Sequence, residues 1–180
     1  MRIIAGKARG RRLTAPDAPG TRPVTDRVKE AIFSSIGSWV EDADVADLYA
    51  GSGSFGLEAL SRGAATAVFV ESARKAIKAL RSNVDAVGLG GDVRETPVGD
   101  FLRRGAGRFH LVFVDPPWDM STEALEADLE SLDGFLAPNG EVVVSRRHDD
   151  RPPTPPVTWK VLADRRYGDT RVFRYEKGAD

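Results

Sequence analysis

From Val45 onward, short apolar runs alternate with segments whose apolar residues recur every three or four positions, the pattern of strands alternating with amphipathic helices. Val45–Tyr49, Ala67–Val70, Leu111–Val114 and Glu141–Ser145 read as strands, the last following a Pro138-Asn-Gly turn. Val93–Val98 is a weaker strand candidate because Pro97 interrupts it. Between these runs, Phe55–Arg62 and Ala73–Val87 read as helices, the second closed by Gly88. Phe101–Arg104 reads as a helical turn, and Thr122–Asp133 as a helix capped by Thr122. Past the proline-rich stretch Arg151–Pro156, Trp159–Ala163 and Arg171–Tyr175 follow each other with no helix between them, predicting an antiparallel hairpin at the sheet edge. The expected fold class is therefore α/β, a mostly parallel seven-stranded sheet with helices on both faces and an antiparallel C-terminal hairpin.

The first 40 residues have a different texture. Met1–Leu13 carries two short β-prone pieces around Gly6 to Gly10 and predicts a small hairpin or extended arm; Ala15–Pro23 reads as a linker. Thr25-Asp26 then opens a helix with apolar positions at Val28, Ala31, Ile32, Phe33 and Ile36, weakened at Gly37. The division expected is a basic arm over residues 1–20 and one globular domain over 21–180.

At 180 residues and 41% hydrophobic content the chain can bury an ordinary core. No window approaches the roughly 18 apolar residues of a membrane span and no signal peptide is evident, so a cytoplasmic location and no membrane partner are expected. The chain has no cysteine, which excludes disulfides, thiolate metal sites and a cysteine nucleophile. With His110 and His148 as its two histidines, a metal centre is not expected, and neither histidine is given a role. Net charge is −1, but residues 1–29 hold eight Lys/Arg against two acids, residues 30–145 nine against nineteen, and residues 146–180 nine against six. Basic ends on an acidic body point to a polyanion, because Lys and Arg gain by displacing counterions from phosphates.

The first strand runs into Asp47-Leu-Tyr-Ala-Gly51-Ser-Gly53-Ser-Phe-Gly56, a G-x-G-x-x-G spacing between a strand and a helix, where glycine lets backbone approach a ligand closely. Glu71 ends the second strand 20 residues after Gly51, where a carboxylate can accept from ribose hydroxyls. This pattern describes a nucleoside half-site for either a dinucleotide or an adenosyl sulfonium. A dinucleotide needs the helix N-terminus for its pyrophosphate. Asp47, placed just before the loop, suits a cationic amino-acid moiety better than a phosphate, and so favours S-adenosyl-L-methionine; its alternative role is to anchor the loop backbone.

In Leu111 to Trp118, LVFVDPPW, an apolar run that reads as a strand, Leu111–Val114, ends in an acid, two prolines and an aromatic. Each proline fixes its own φ and pushes the preceding residue out of the α region, so Asp115, Pro116, Pro117 and Trp118 form a stiff unit at the carboxyl end of a strand, where ligands bind in open α/β sheets.

DLYAGSGSFGLEALSRGA at 47–64, VFVES at 68–72 and DPPW at 115–118 resemble the Rossmann-type S-adenosylmethionine-dependent methyltransferases that act on exocyclic amino groups. More narrowly, RIIAGKARGRRL at 2–13, TRPVTDRVKEAIFSSI at 21–36 and YGDT at 167–170 resemble the bacterial 16S ribosomal RNA guanine-N2 methyltransferases, across almost the whole chain. The family often has Phe or Tyr where this chain has Trp118, and a second polar residue where it has Ser72. The resemblance implies that Gly51 and Gly53 lie against the methionine and ribose of the cofactor, that Glu71 binds the ribose, that Asp100 and Phe101 meet the adenine, and that Thr25 and Asp26 close over the methionyl end. It implies a single guanine of 16S rRNA as substrate, within the small ribosomal subunit or its assembly intermediate. Asp115 and a Pro116 carbonyl would hold the amine and Trp118 would stack on the base, the prolines fixing their geometry. Arg2, Lys7, Arg9, Arg11 and Arg12 from one end, and Arg146, Arg147, Arg165 and Arg166 from the other, are candidates to grip RNA phosphates. A monomer is expected. The missing cysteine excludes the usual thiolate route to pyrimidine C5, leaving nitrogen as the natural target. Two alternatives stand beside this reading: an NAD-dependent oxidoreductase, which leaves DPPW and the arm unexplained, and a non-catalytic RNA-binding or ribosome assembly factor.

Overall fold

The computed structural model describes residues 1–16, 25–104 and 107–179; most of the expected linker, and Arg22 within it, lies outside the described residues. Seven strands form one sheet: β1 (Asp44–Leu48), β2 (Thr66–Glu71), β3 (Asp92–Glu95), β4 (Phe109–Val114), β5 (Leu136–Arg147), β6 (Trp159–Tyr167) and β7 (Thr170–Lys177), in the order β3-β2-β1-β4-β5-β7-β6. The first five run parallel, while β7 lies antiparallel between β5 and β6. The chain order reverses between β1 and β4, and in such sheets the crevice outside the strands' carboxyl ends at this switch is the ligand site.

The two faces of the sheet follow from the alternation of side chains along each strand. On one face Val45, Phe69, Leu111, Phe113 and Val143 pack under α1 (Asp26–Ile36), α2 (Ser54–Ser61) and α3 (Arg74–Val87). On the other, Ala46, Leu48, Val70, Val112, Val114, Val142 and Val144 pack under α4 (Val98–Arg104) and α5 (Thr122–Leu132). All four residues from Leu111 to Val114 are buried, each worth about 1.5–3 kcal/mol, so β4 is a rigid platform for whatever follows it. Phe113 stacks on Phe55 with ring centroids 4.9 Å apart, locking α2 against β4.

Several boundaries differ from the sequence expectation for local reasons. β3 stops at Glu95, before Pro97, which fixes φ and offers no ladder donor, and α4 starts earlier than expected, at Val98. The cap of α5 is Ser121, whose hydroxyl accepts from Ala124 N at 3.2 Å, rather than Thr122. β6 extends through Asp164-Arg-Arg-Tyr167, residues too polar to read as strand, because backbone pairing with β7 and the Arg171–Asp164 pair (2.6 Å) hold it; charge on an edge strand also discourages further pairing. Gly88 closes α3 in a left-handed conformation, as expected.

The N-terminal arm is a narrow hairpin: Ile3 N donates to Arg11 O and Gly10 N to Ile3 O, both at 2.9 Å, with an isolated bridge between Arg2 and Arg12. Its apolar residues Ile3 and Leu13 belong to the core under α1 and α2. Among the described residues no helix is long and apolar enough to cross a membrane.

Candidate active site

Strand register puts the chemistry in one row. Leu48 pairs with Val70 and with Val114, and Val114 with Val144, so Glu71, Asp115 and Ser145 emerge side by side at the carboxyl ends of β2, β4 and β5. The glycine loop fills the gap after β1, with Gly51 and Gly53 at φ of 57° and 79° and Tyr49 also left-handed at 59°. Holding a tyrosine there costs energy that glycine would not, and its hydroxyl is tied to Asp128 of α5.

The third glycine is set by packing. A Cβ on Gly56 would lie 2.4 Å from Cε1 and 2.9 Å from Cζ of Phe69, a fully buried ring on β2. Gly56→Ala is expected to destabilise the fold by about 1–3 kcal/mol in urea unfolding, and a Phe69→Leu background, which frees that space, to recover part of the loss.

Asp47 is 1% exposed and its Oδ2 accepts from Gly56 N at 2.8 Å, so it does anchor the loop backbone. Burial pushes its carboxyl well above the usual carboxylate range, against the Gly56 bond, and Asp115 and Glu71 nearby push it further. Glu71 accepts from Gly51 N (2.8 Å) through one oxygen and from Ser72 N (2.7 Å) and Ala73 N (2.8 Å) through the other. With about four lone-pair positions, that carboxylate keeps one acceptor free. Burial raises the Asp115 carboxyl to about 7, opposed by a hydrogen bond to Ser145. Burial disfavours the charged forms of Asp47 and Asp115, and a bound cation beside them relieves that cost.

Three residues after Asp115, Trp118 borders a cavity of about 480 Å³, within the range of small-ligand sites, lined also by Thr25, Arg27, Val28 and residues 166–170. Three separate stretches thus meet: the start of α1, the DPPW turn, and Tyr167-Gly-Asp-Thr170 of the β6–β7 turn. Thr25 caps α1, its hydroxyl accepting from Val28 N at 3.3 Å, and Asp26 pairs with Arg2 at 3.3 Å. The Arg147 guanidinium sits 5.5 Å over the Trp118 ring, a cation–π contact that covers one of its faces. Pro116 is buried and Pro117 exposed, with Met120 N donating to Pro117 O at 3.0 Å to close the turn.

Not every candidate converges. Asp100 pairs with Arg103, and Phe101 packs on Phe135 at 5.8 Å; both line a second cavity of about 370 Å³ with Val68, Arg94, Thr96, Arg104 and Phe109, and neither this cavity nor the first is lined by a glycine-loop residue. Arg146 is 3% exposed, so it does not present itself to phosphate as expected. The cause is parity along β5: Val142, Val144 and Arg146 point into the α5 layer, where Arg146 Nη2 donates to Met120 O at 2.7 Å and lies 2.8 Å from Asp150. Lys7, Arg9, Arg12 and Arg165 are exposed, Arg166 borders the larger cavity, and Arg11 reaches the Ala86 carbonyl of α3.

Ser145 and Arg27 are site residues that sequence reasoning missed. Ser145 carried a signal, as the polar residue that ends the apolar run Val142–Val144 of β5. A further omission is the buried pair of Lys29 and Glu58, whose Nζ and Oε2 are 3.3 Å apart. Lys29 sits at a core position of the α1 stripe with Ile32, Phe33 and Ile36, where a charge signals a buried partner.

The comparisons agree with this architecture. A family model described as "Conserved hypothetical protein 95" matches residues 1–176. "Ribosomal RNA small subunit methyltransferase D" of Escherichia coli (strain K12) is 35% identical over 180 residues, covering 99% of this chain and 91% of that one. The Haemophilus influenzae protein of the same name is 32% identical over 181 residues, covering 98% and 93%. The solved structure of the Escherichia coli protein yhhF superposes with a TM-score of 0.90 at 34% identity, covering 100% of this chain and 99% of that one. SMU.776, solved in complex with SAH, matches at 14% identity with a TM-score of 0.69, covering 83% and 48%, and shares the methyltransferase fold alone. The expected Rossmann-like methyltransferase architecture holds, and the chain belongs to the conserved hypothetical protein 95 family, in which its relatives are named ribosomal RNA small subunit methyltransferase D.

Proposed function

We propose that this protein transfers the methyl group of S-adenosyl-L-methionine to the exocyclic N2 of one guanine in 16S rRNA, within the small ribosomal subunit or its assembly intermediate. The observation that carries this reading is the meeting of Thr25, Trp118 and Tyr167–Thr170 around one cavity, Trp118 following Asp115 through the two prolines. When bound, the cofactor supplies an electrophilic methyl group on a cationic sulfur. The residues fit such a cation: Gly51 and Gly53 keep the loop free of side chains, Glu71 retains an acceptor for a ribose hydroxyl, and Asp47, Glu71 and Asp115 make the crevice acidic.

Guanine N2 is a weak nucleophile because its lone pair is delocalised into the ring. Two acceptors, the Asp115 carboxylate and the Pro116 carbonyl, would hold its two N–H bonds and turn the lone pair toward the methyl group, so that rate arises from alignment. Methylation makes the nitrogen acidic, and Asp115 would take the proton it loses. The base must leave its helix to arrive there. Trp118, at the edge of this cavity, would stack on the base.

The dinucleotide alternative loses support from the loop. The Gly56 N–H at the start of α2 is given to the Asp47 carboxyl and so is not offered to a pyrophosphate. The test is methylation of small subunits from cells lacking the enzyme, with labelled S-adenosylmethionine and mapping of the product; label on any atom other than a guanine N2 of 16S rRNA overturns the proposal.

RNA affinity should divide the arginines. Arg166→Gln, in the cavity wall, and Arg147→Gln, over the Trp118 ring, are each expected to lower the slope of log affinity against log salt by about one phosphate contact. Arg146→Gln is expected to leave that slope unchanged and to lower the melting temperature, because its guanidinium ties β5 to Met120.

A further inference from the structure

The arm faces two ways. Its side chains Lys7, Arg9 and Arg12 point to solvent, but its backbone is stitched to the elements that shape the glycine loop. Ile4 N and Ala5 N donate to the two oxygens of Glu58 at 2.7 and 3.0 Å, Lys7 N to Ser61 O at 2.7 Å, and Ala8 N to Ser61 Oγ at 2.9 Å. Farther along, Asn83 of α3 joins the arm to the loop itself, donating to Thr14 O and to Ser52 O, both at 2.9 Å. The docking is close: a Cβ on Gly6, at φ 82°, would lie 1.7 Å from Ser61 O.

At the centre is Lys29, on the first turn of α1, its backbone N–H given to Thr25 O at 3.0 Å. Its side chain is 1% exposed and reaches two other segments: the arm, at Arg2 O (2.7 Å), and α2, at Ser54 Oγ directly after Gly53 (3.1 Å) and at Glu58 Oε2 one turn later (3.3 Å). An ammonium has three donors, and here each has an acceptor, one on the arm and two on α2. A guanidinium presents its donors in one fixed plane rather than around a point, and a hydrophobe of the same length has nothing to donate. Buried ion pairs stabilise little over apolar replacements of equal volume, so the geometry they fix is the better account of this one. The geometry fixed here is that of Thr25 against Ser54, a wall of the larger cavity against the start of the glycine loop.

We propose that Lys29 is a positioning residue: its ammonium locks the N-terminal arm, the first turn of α1 and the start of α2 into one body, and so sets the glycine loop in the shape that binds the cofactor. This rests on the cofactor reading given above. The arm is thereby a strap on the cofactor loop as well as a carrier of arginines.

The test is calorimetric titration of full-length variants with S-adenosylhomocysteine at 15 °C, each variant first shown to be folded by circular dichroism. Lys29→Met is expected to weaken binding at least tenfold and Ser54→Ala, which removes one neutral acceptor, about threefold. Gly6→Ala, which pushes the arm off Ser61, is expected to weaken it severalfold, with the Gly6→Ala/Lys29→Met double variant losing less than the product of the two. A merely structural lysine would lower the melting temperature and leave this affinity alone, so binding within twofold of wild type in Lys29→Met and Ser54→Ala overturns the proposal. If Lys29→Met does not fold, Ser54→Ala decides alone. Failure of the wild type to bind S-adenosylhomocysteine overturns the cofactor reading itself, and this inference with it.

Discussion

Asp115→Ala is expected to lower single-turnover methyl transfer to small subunits by about 10³-fold or more, while S-adenosylhomocysteine still binds within a few-fold of wild type. The substitution removes both the acceptor that orients the amine and the base that takes its proton, and full activity in this variant would sink the proposed mechanism. The pH dependence gives a second check. The useful form is the carboxylate, and burial raises this group to about 7, so the wild-type rate should rise close to tenfold per pH unit below 7 and level off above. Stability moves the other way. Between about pH 4 and 7 the folded chain holds a proton that the unfolded chain has released, so this group's contribution to stability falls as pH rises across that window and is flat above it. Asp115→Asn should remove the decline and therefore stabilise the protein at pH 8 relative to pH 4. About 4 kcal/mol is the upper limit, because Asp115 keeps a partly exposed edge. A variant that is dead and more stable at pH 8 separates loss of chemistry from loss of fold.

How much of this was legible in the sequence depended on whether a residue's role was set by its own neighbours in the chain. The strands with continuous apolar runs, such as Leu111–Val114, were readable, because burial on both faces demands that composition. Asp164–Tyr167 was not, since its strand state comes from pairing with β7 and leaves no alternation in the residues. Asp115 and Glu71 could be read as strand-end acids, and register set them in one row. Whether Asp47 faced a ligand or its own loop could not be decided without the Gly56 bond. Arg146 and Arg147 differ by one position and therefore by a whole face of the sheet: one is buried under Met120 and the other stacks on Trp118. Charge counting treats the two alike, which is why the phosphate-gripping set came out too large. The same blindness hid Lys29 and Glu58, which add nothing to net charge and look like surface residues until α1 and α2 are packed together.

Glu58→Ala is expected to cost about 3–5 kcal/mol in urea unfolding, the largest stability loss of any single charge in the chain. The carboxylate is fully buried and accepts from Ile4 N, Ala5 N and, at 2.7 Å, Arg62 Nε, besides facing Lys29. Alanine strands two backbone donors and leaves the Lys29 ammonium in a dry site without its counter-ion. Burial already lowers Lys29 below its ordinary value, with Glu58 the main group opposing that fall. Without Glu58 the lysine is pushed lower still, so over the interval between its folded and unfolded values the unfolded chain binds more protons, and the variant should regain stability as pH rises toward 10. Glu58→Gln, which keeps the shape and one acceptor oxygen, should lose less, and adding Lys29→Met to it should lose little more, since the stranded charge is gone. The contrast is Arg81–Glu95, a pair at 2.5 Å with side chains 58% and 46% exposed, where Glu95→Ala should change stability by no more than about 1 kcal/mol. Equal losses at Glu58 and Glu95 would mean that the pair under the arm is as wet as one on the surface, and that the strap is not closed in solution.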